Sequence, residues 1–163
     1  MKVQLPDQRG QSISMIGALS VKHGLVLTQV FVRSNTVDSF LPFIKALKRI
    51  NPLHKRIVVM DNLSVHHSKI VKEEFDDRWF IHQFLPPQSC ELNPIERVWN
   101  LIKSQWRKNS FRILDISRKK EDQLVATVDA INEIANNLNK DLMCKIARCN
   151  YEAMTKTLQG YIV

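Results

Sequence analysis

The chain has 163 residues, 44% of them hydrophobic, and a formal net charge of +8, which describes one domain of ordinary length with apolar content enough for a sizeable core. No apolar run approaches membrane-spanning length, residues 1–7 lack the apolar stretch of a signal peptide, and the three cysteines, Cys90, Cys144 and Cys149, include no Cys-x-x-Cys pair. These features speak against a membrane protein, a disulfide framework and a zinc knuckle; a cytoplasmic protein with free thiols is expected.

In chain order, Gln11 to Val21 and Gly24 to Val32 are rich in Ile, Leu and Val and flank Lys22-His23-Gly24, which predicts a β-hairpin with a short turn. From Phe40 to Ile50 apolar residues recur at Phe40, Phe43/Ile44 and Leu47 with helical spacing. With Asp38 as N-cap, Pro42 would fall in the first turn, where a missing amide costs little. Lys55 to Met60 reads as a short strand buried on both faces of a parallel sheet. A helix from Ser64 to Phe75 and a strand from Trp79 to Leu85 would complete a βαβ unit. Asn93 to Lys108 is then a helix, followed by a basic linker and two helices, from about Glu121 to Leu138 and from Lys140 to Leu158.

Two acids stand at the ends of the βαβ segment. Asp61 closes the apolar strand and Glu96 opens the helix after Leu92-Asn93-Pro94, with 34 residues, 62–95, between them. That is room for one helix and one parallel strand, so both carboxylates are expected at the same sheet edge, where paired carboxylates suit a divalent metal. Each acid has a plainer reading. Asp61-Asn62 after a strand can start a turn or cap the next helix, and Glu96 can fold back on Asn93 as a capping box. His66 and His67 read as surface residues or as partners of a ligand, within reach of a phosphate at a helix N-terminus.

The positive charge is concentrated. Between Arg97 and Lys120 stand Arg97, Lys103, Arg107, Lys108, Arg112, Arg118, Lys119 and Lys120 against Asp115 alone. Such a block either solvates a helix face or binds a polyanion by displacing its counterions. Along the same helix Ile95, Val98/Trp99, Ile102 and Trp106 repeat at the core-facing period, while Glu96, Asn100, Lys103 and Arg107 follow a neighbouring face. One stripe would pack and the other would meet a ligand, which beside Glu96 favours nucleic acid.

The run Val58-Val59-Met60-Asp61-Asn62-Leu63-Ser64-Val65-His66-His67-Ser68-Lys69, followed by Phe84-Leu85-Pro86-Pro87-Gln88-Ser89-Cys90-Glu91-Leu92-Asn93-Pro94-Ile95-Glu96-Arg97-Val98-Trp99-Asn100, resembles the catalytic core of mariner-type DDE transposases, bacterial insertion-sequence members among them. Arg9 to Leu19 resembles that family's second strand, so the likeness spans about Arg9 to Arg107. Gln88 stands where an aromatic is frequent and Cys90 where a proline is frequent; both departures should alter loop stiffness, not chemistry.

The resemblance implies an α/β, RNase H-like (retroviral integrase-type) mixed five-stranded sheet flanked by helices. Residues 1–110 would form the catalytic core and 111–163 a C-terminal helical extension of the same domain. It implies metal-dependent DNA cleavage and strand transfer, with Asp61 and Glu96 as the second and third acids of a triad holding two Mg²⁺ or Mn²⁺ ions roughly 4 Å apart. Asn62, His66, Asn100, Lys103, Arg107 and Lys108 would contact DNA, both transposon ends and target. The family's first Asp belongs to a strand before the hairpin, and Asp7, outside any apolar strand, does not replace it. A truncated or frame-split product, inactive or nearly so alone, is therefore expected. It would pair as a homodimer or with a full-length transposase, with Lys2 to Leu5 as an alternative filler of the open sheet position. The alternative is a non-catalytic DNA-binding remnant or regulator of the full-length enzyme. A small-molecule αβ enzyme fits less well, because Gly10, Gly17, Gly24 and Gly160 form no phosphate-cradling loop.

Overall fold

The computed structural model describes residues 2–4, 12–33, 35–50, 52–75, 78–116 and 120–160. Asp7, the Arg9-Gly10-Gln11 part of the family-like strand, Leu5, Arg118 and Lys119 lie outside them. The chain divides into two compact units, one of Met1–Ser34 and Pro94–Glu152, the other of Asn35–Asn93 and Ala153–Val163.

The first unit begins with three antiparallel strands, β1 (Lys2–Gln4), β2 (Ser12–Ser20) and β3 (Gly24–Val32), in the order β1-β2-β3. The predicted hairpin is present, its turn at residues 21–23 leading into Gly24 at φ +72°, a left-handed conformation that glycine adopts without steric cost. Lys2–Gln4 pairs antiparallel with Ser14–Ser12 along the β2 edge. Pairing runs Ile13↔Val32, Met15↔Val30 and Gly17↔Thr28, then shifts between Ala18 and Leu19 so that Leu19 meets Leu25. That bulge keeps both leucines on the core face.

Three helices cover this face: α3 (Ile95–Ile116), α4 (Lys120–Asn136) and α5 (Lys140–Gly160). Ile13 and Met15 of β2 share one core with Val98, Trp99, Ile102 and Trp106 of α3, Ile131, Ile134 and Ala135 of α4, and Met143 of α5. The predicted apolar stripe of α3 is therefore its core face. The basic linker predicted after Lys108 is instead more helix, since α3 continues to Ile116. Asn139 caps α5, its Oδ1 accepting the Leu142 amide at 2.9 Å. Cys144 and Cys149 are free thiols, as expected.

The second unit contains α1 (Val37–Arg49), β4 (Arg56–Met60), a 3₁₀ turn (Ser64–His67), α2 (Lys69–Glu73), β5 (Phe80–Phe84) and a second 3₁₀ turn (Cys90–Leu92). β4 and β5 pair in parallel from Arg56↔Phe80 to Met60↔Phe84, completing the predicted βαβ unit. The described strands thus pair as β1-β2-β3 in the first unit and β4-β5 in the second.

Local chemistry corrects other expectations. Thr36, not Asp38, caps α1, because Thr36 and Ser39 exchange side-chain and backbone hydrogen bonds in a capping box. Pro42 accordingly sits beyond the first turn, where it removes one helical hydrogen bond. β4 is not buried on both faces: Met60 is buried with Phe40, Phe43, Ile44, Val71, Phe75 and Phe80, whereas Ile57 is 63% and Val59 46% exposed. Arg56 lashes the strand to α1, donating from Nη1 to the Leu47 carbonyl (2.7 Å) and the Ile50 carbonyl and from Nη2 to the Lys48 carbonyl (2.8 Å). Its guanidinium also lies 4.9 Å from the centroid of the Phe80 ring. These bonds engage carbonyls at the C-terminal end of α1, where the Leu47 carbonyl also accepts the Ile50 amide at 3.2 Å.

A methyl group at Gly17 would lie 2.5 Å from Cη2 of the buried Trp99 indole. Gly17→Ala should therefore destabilise the protein by about 1–3 kcal/mol, seen as a lowered midpoint in thermal denaturation followed by circular dichroism. An unchanged or raised midpoint would show that Trp99 gives way without cost.

Candidate active site

Asp61 is the first residue after β4, and its carboxylate is half-buried. The chain turns at once. Oδ1 accepts the Leu63 amide at 3.4 Å, so the turn-forming reading of Asp61 is realised. The same oxygen lies 2.9 Å from Nδ1 of His66, which also approaches the Asp61 carbonyl at 3.1 Å. One ring nitrogen thus faces two oxygens of one residue. Oδ2 has no hydrogen-bond partner among the described residues.

The neighbouring pair repeats the device. Asn62 Oδ1 lies 3.1 Å from Nε2 of His67, and Asn62 Nδ2 donates to the Leu85 carbonyl just beyond β5. His67 stacks on Phe84 with centroids 4.1 Å apart. Asn62 therefore ties the end of β4 to the end of β5, with both ends of its amide engaged inside the unit.

These bonds explain why the predicted helix from Ser64 to Phe75 is broken. Its first turn is 3₁₀, Ser68 is extended at φ −60°, ψ 143°, and only Lys69–Glu73 is α-helical. Ser, Val and His are weak helix formers, and side chains that reach back five residues tighten the turn. His66, expected at the surface or behind a ligand, is 8% exposed and lies against Phe40 of α1 with centroids 4.4 Å apart. Sequence spacing held a signal for this clasp, since Asp61-Asn62 and His66-His67 are two pairs five residues apart.

The His66 hydrogen bond holds the Asp61 carboxyl below its usual range, opposed by partial burial and assisted by the charge of His66 and by the Leu63 amide.

Glu96 belongs to the other unit, on the first turn of α3, and is half-buried. It makes no hydrogen bond or ion pair among the described residues, so the capping-box alternative is not formed there. A carboxylate at this end of a helix is favoured by the helix dipole. Asn100, Arg107 and Lys108 are exposed and Lys103 is half-buried, on the side of α3 away from Val98 and Ile102. Lys103, Arg107 and Lys108 pair with no carboxylate among the described residues. Gln88, in the loop after β5, takes a left-handed φ of 59°.

A family model described as DDE superfamily endonuclease matches residues 2–116, from the first strand to the last residue of α3. The chain belongs to this family. No curated protein matches the sequence. DDE endonuclease domains act on DNA and generally use divalent metal ions. Among the described residues of this DDE endonuclease, no three His, Cys, Asp or Glu side chains form a metal-sized cluster, and no helix is long and apolar enough to cross a membrane.

A carboxyl whose folded pKa is depressed stabilises the fold in full above its unfolded value, about 3.9, and loses that contribution as pH falls through the lower folded value. The stability difference between wild type and Asp61→Asn should accordingly be constant above about pH 5 and change only below the ordinary carboxylate range. Chemical denaturation of both proteins at several pH values measures it. A difference that is flat down to acid unfolding would contradict the His66 hydrogen bond.

Proposed function

We propose that this DDE endonuclease is a mariner-type transposase domain of the insertion-sequence kind, acting in metal-dependent cleavage and strand transfer of DNA. Asp61 and Glu96 would be acids that hold the metal. The observation that carries this reading is the Asp61 carboxylate at the C-terminal end of a parallel strand, one oxygen fixed by Leu63 and His66 and the other without a partner among the described residues.

The donor set fits the metal class. Carboxylate oxygens are the hard ligands that Mg²⁺ and Mn²⁺ prefer. When bound, such an ion activates a water or 3′-hydroxyl and stabilises the leaving oxygen of a phosphodiester. Asp61 supplies an anionic oxygen from a turn anchored to both strands, with little conformational freedom left to lose on binding. Glu96 supplies a second carboxylate, without an internal partner among the described residues. Asn100, Lys103, Arg107 and Lys108 would position DNA by phosphate contacts, which fix register and carry no sequence information. A homodimer or a complex with another transposase chain is proposed as the assembly.

With Asp61 and Glu96 as the two acids assigned to the metal, slow nicking is expected. Supercoiled DNA incubated with the protein and Mn²⁺ should be nicked, and nicking should fall to background in Asp61→Asn and in Glu96→Gln. Nicking that persists in both variants would refute the assignment. DNA retention without nicking, equal in wild type and Asp61→Asn, would favour the non-catalytic DNA-binding alternative.

DNA affinity separates the second group of residues from the first. Lys103→Ala/Arg107→Ala should weaken binding and make the dependence of log K on log salt shallower by about 2, one for each phosphate left without its cation. Titration at several salt concentrations gives that slope, and an unchanged slope would remove these two side chains from the DNA surface.

A further inference from the structure

Beyond the two acids, the structure offers a reason why Asp61 in particular can act as a ligand. We propose that His66 is a positioning residue for Asp61: its Nδ1–H holds Oδ1 in place, so that Oδ2 is presented to a divalent cation. The proposal rests on the metal reading given above and adds to it the residue that mounts the ligand.

The geometry is that of a fixed donor. Nδ1 stands 2.9 Å from Oδ1 and 3.1 Å from the carbonyl oxygen of the same aspartate. A donor shared between these two oxygens fixes the side-chain torsions of Asp61 relative to its own backbone. The imidazole cannot move away to release them. It is buried, its ring lies 4.4 Å from Phe40 at 35°, and Phe40 is itself part of the core of α1. The line of support runs from the helix core through Phe40 and His66 to the carboxylate.

His67 provides the internal comparison. It has the same spacing to Asn62 that His66 has to Asp61, and it also stacks on an aromatic ring. Its partner, however, is a neutral amide whose nitrogen is bonded to Leu85, so it closes the strand ends and presents no anion. Only the His66 arm ends on a carboxylate. A partner of this kind orients a ligand, and its loss costs about 10- to 100-fold in metal affinity.

Two substitutions separate positioning from packing. His66→Phe keeps a ring against Phe40 and removes the donor, whereas His66→Asn gives up the ring and places an amide N–H where Nδ1 was. Mn²⁺ affinity is read on the full chain by electron paramagnetic resonance of the free ion, with Asp61→Asn as reference and thermal midpoints measured alongside. Asp61→Asn should lose Mn²⁺. His66→Phe should bind it at least about 10-fold more weakly at a nearly unchanged midpoint, and His66→Asn should recover much of the affinity despite a lower midpoint.

Loss in Asp61→Asn with wild-type affinity in His66→Phe would overturn the positioning role alone. Equal weakening in His66→Phe and His66→Asn would overturn it too, because packing would then be the cause. Mn²⁺ that binds wild type and Asp61→Asn alike, or neither, would overturn the metal reading and the positioning role with it. Independently of metal, ¹⁵N spectra of the histidines should show the Nδ1–H tautomer for His66 in wild type and its loss in Asp61→Asn; an Nε2–H tautomer in wild type would contradict the bond.

Discussion

A carboxylate at the end of a parallel strand is costly to bury and disordered if left free, and the turn after β4 resolves this by engaging one oxygen. Oδ1 of Asp61 takes the Leu63 amide and the His66 ring nitrogen, while Asn62 bridges to Leu85 beyond β5. Much of the second unit follows from that turn. The first helical residues are drawn into a 3₁₀ turn, His66 is carried onto Phe40, and His67 is set on Phe84. Arg56 performs the matching task at the other end of β4, closing the C-terminus of α1 with three hydrogen bonds. β4 is thus held at both ends, which is what a rigid ligand platform requires.

The first unit is organised around α3, a helix with two different faces. Val98, Trp99, Ile102 and Trp106 enter a core with Ile13 and Met15, and the close seat of Trp99 over Gly17 leaves no room for a side chain on the strand. The face opposite carries Asn100, Lys103, Arg107 and Lys108. Because the apolar stripe is fixed by packing, the cations are held outside the core, where solvent and a polyanion can reach them. Glu96 begins the same helix with no internal partner among the described residues.

Much of this was legible in the sequence because it depends on short-range periodicity. The hairpin, the parallel pairing of β4 with β5 and the core stripe of α3 all came from patterns of two or of three and four residues. What was not legible depends on particular side chains meeting. Thr36 won over Asp38 because Ser39 could reciprocate its bond. The helix after Asp61 broke because two histidines reach back to the strand end, and α3 ran past Lys108 although a basic linker was expected there. An almost wholly apolar strand suggested burial on both faces, yet Ile57 and Val59 are exposed. Of the candidate site, Asp61 and Glu96 were visible as residue types at a spacing, whereas the role proposed for His66 required knowing that its ring is buried and its Nδ1 lies against the carboxylate. Asp61 and Glu96 belong to different compact units, and the proposal that they act together rests on the family resemblance.

The reading of Asp61 as a metal ligand is open to direct observation. Crystals of the protein grown or soaked with Mn²⁺ and measured at a wavelength sensitive to manganese should show an anomalous peak about 2.1 Å from a carboxylate oxygen of Asp61, with Oδ1 still held by His66. An Asp61 carboxylate bonded only to His66 and Leu63, with manganese bound elsewhere on the chain or not at all, would contradict it.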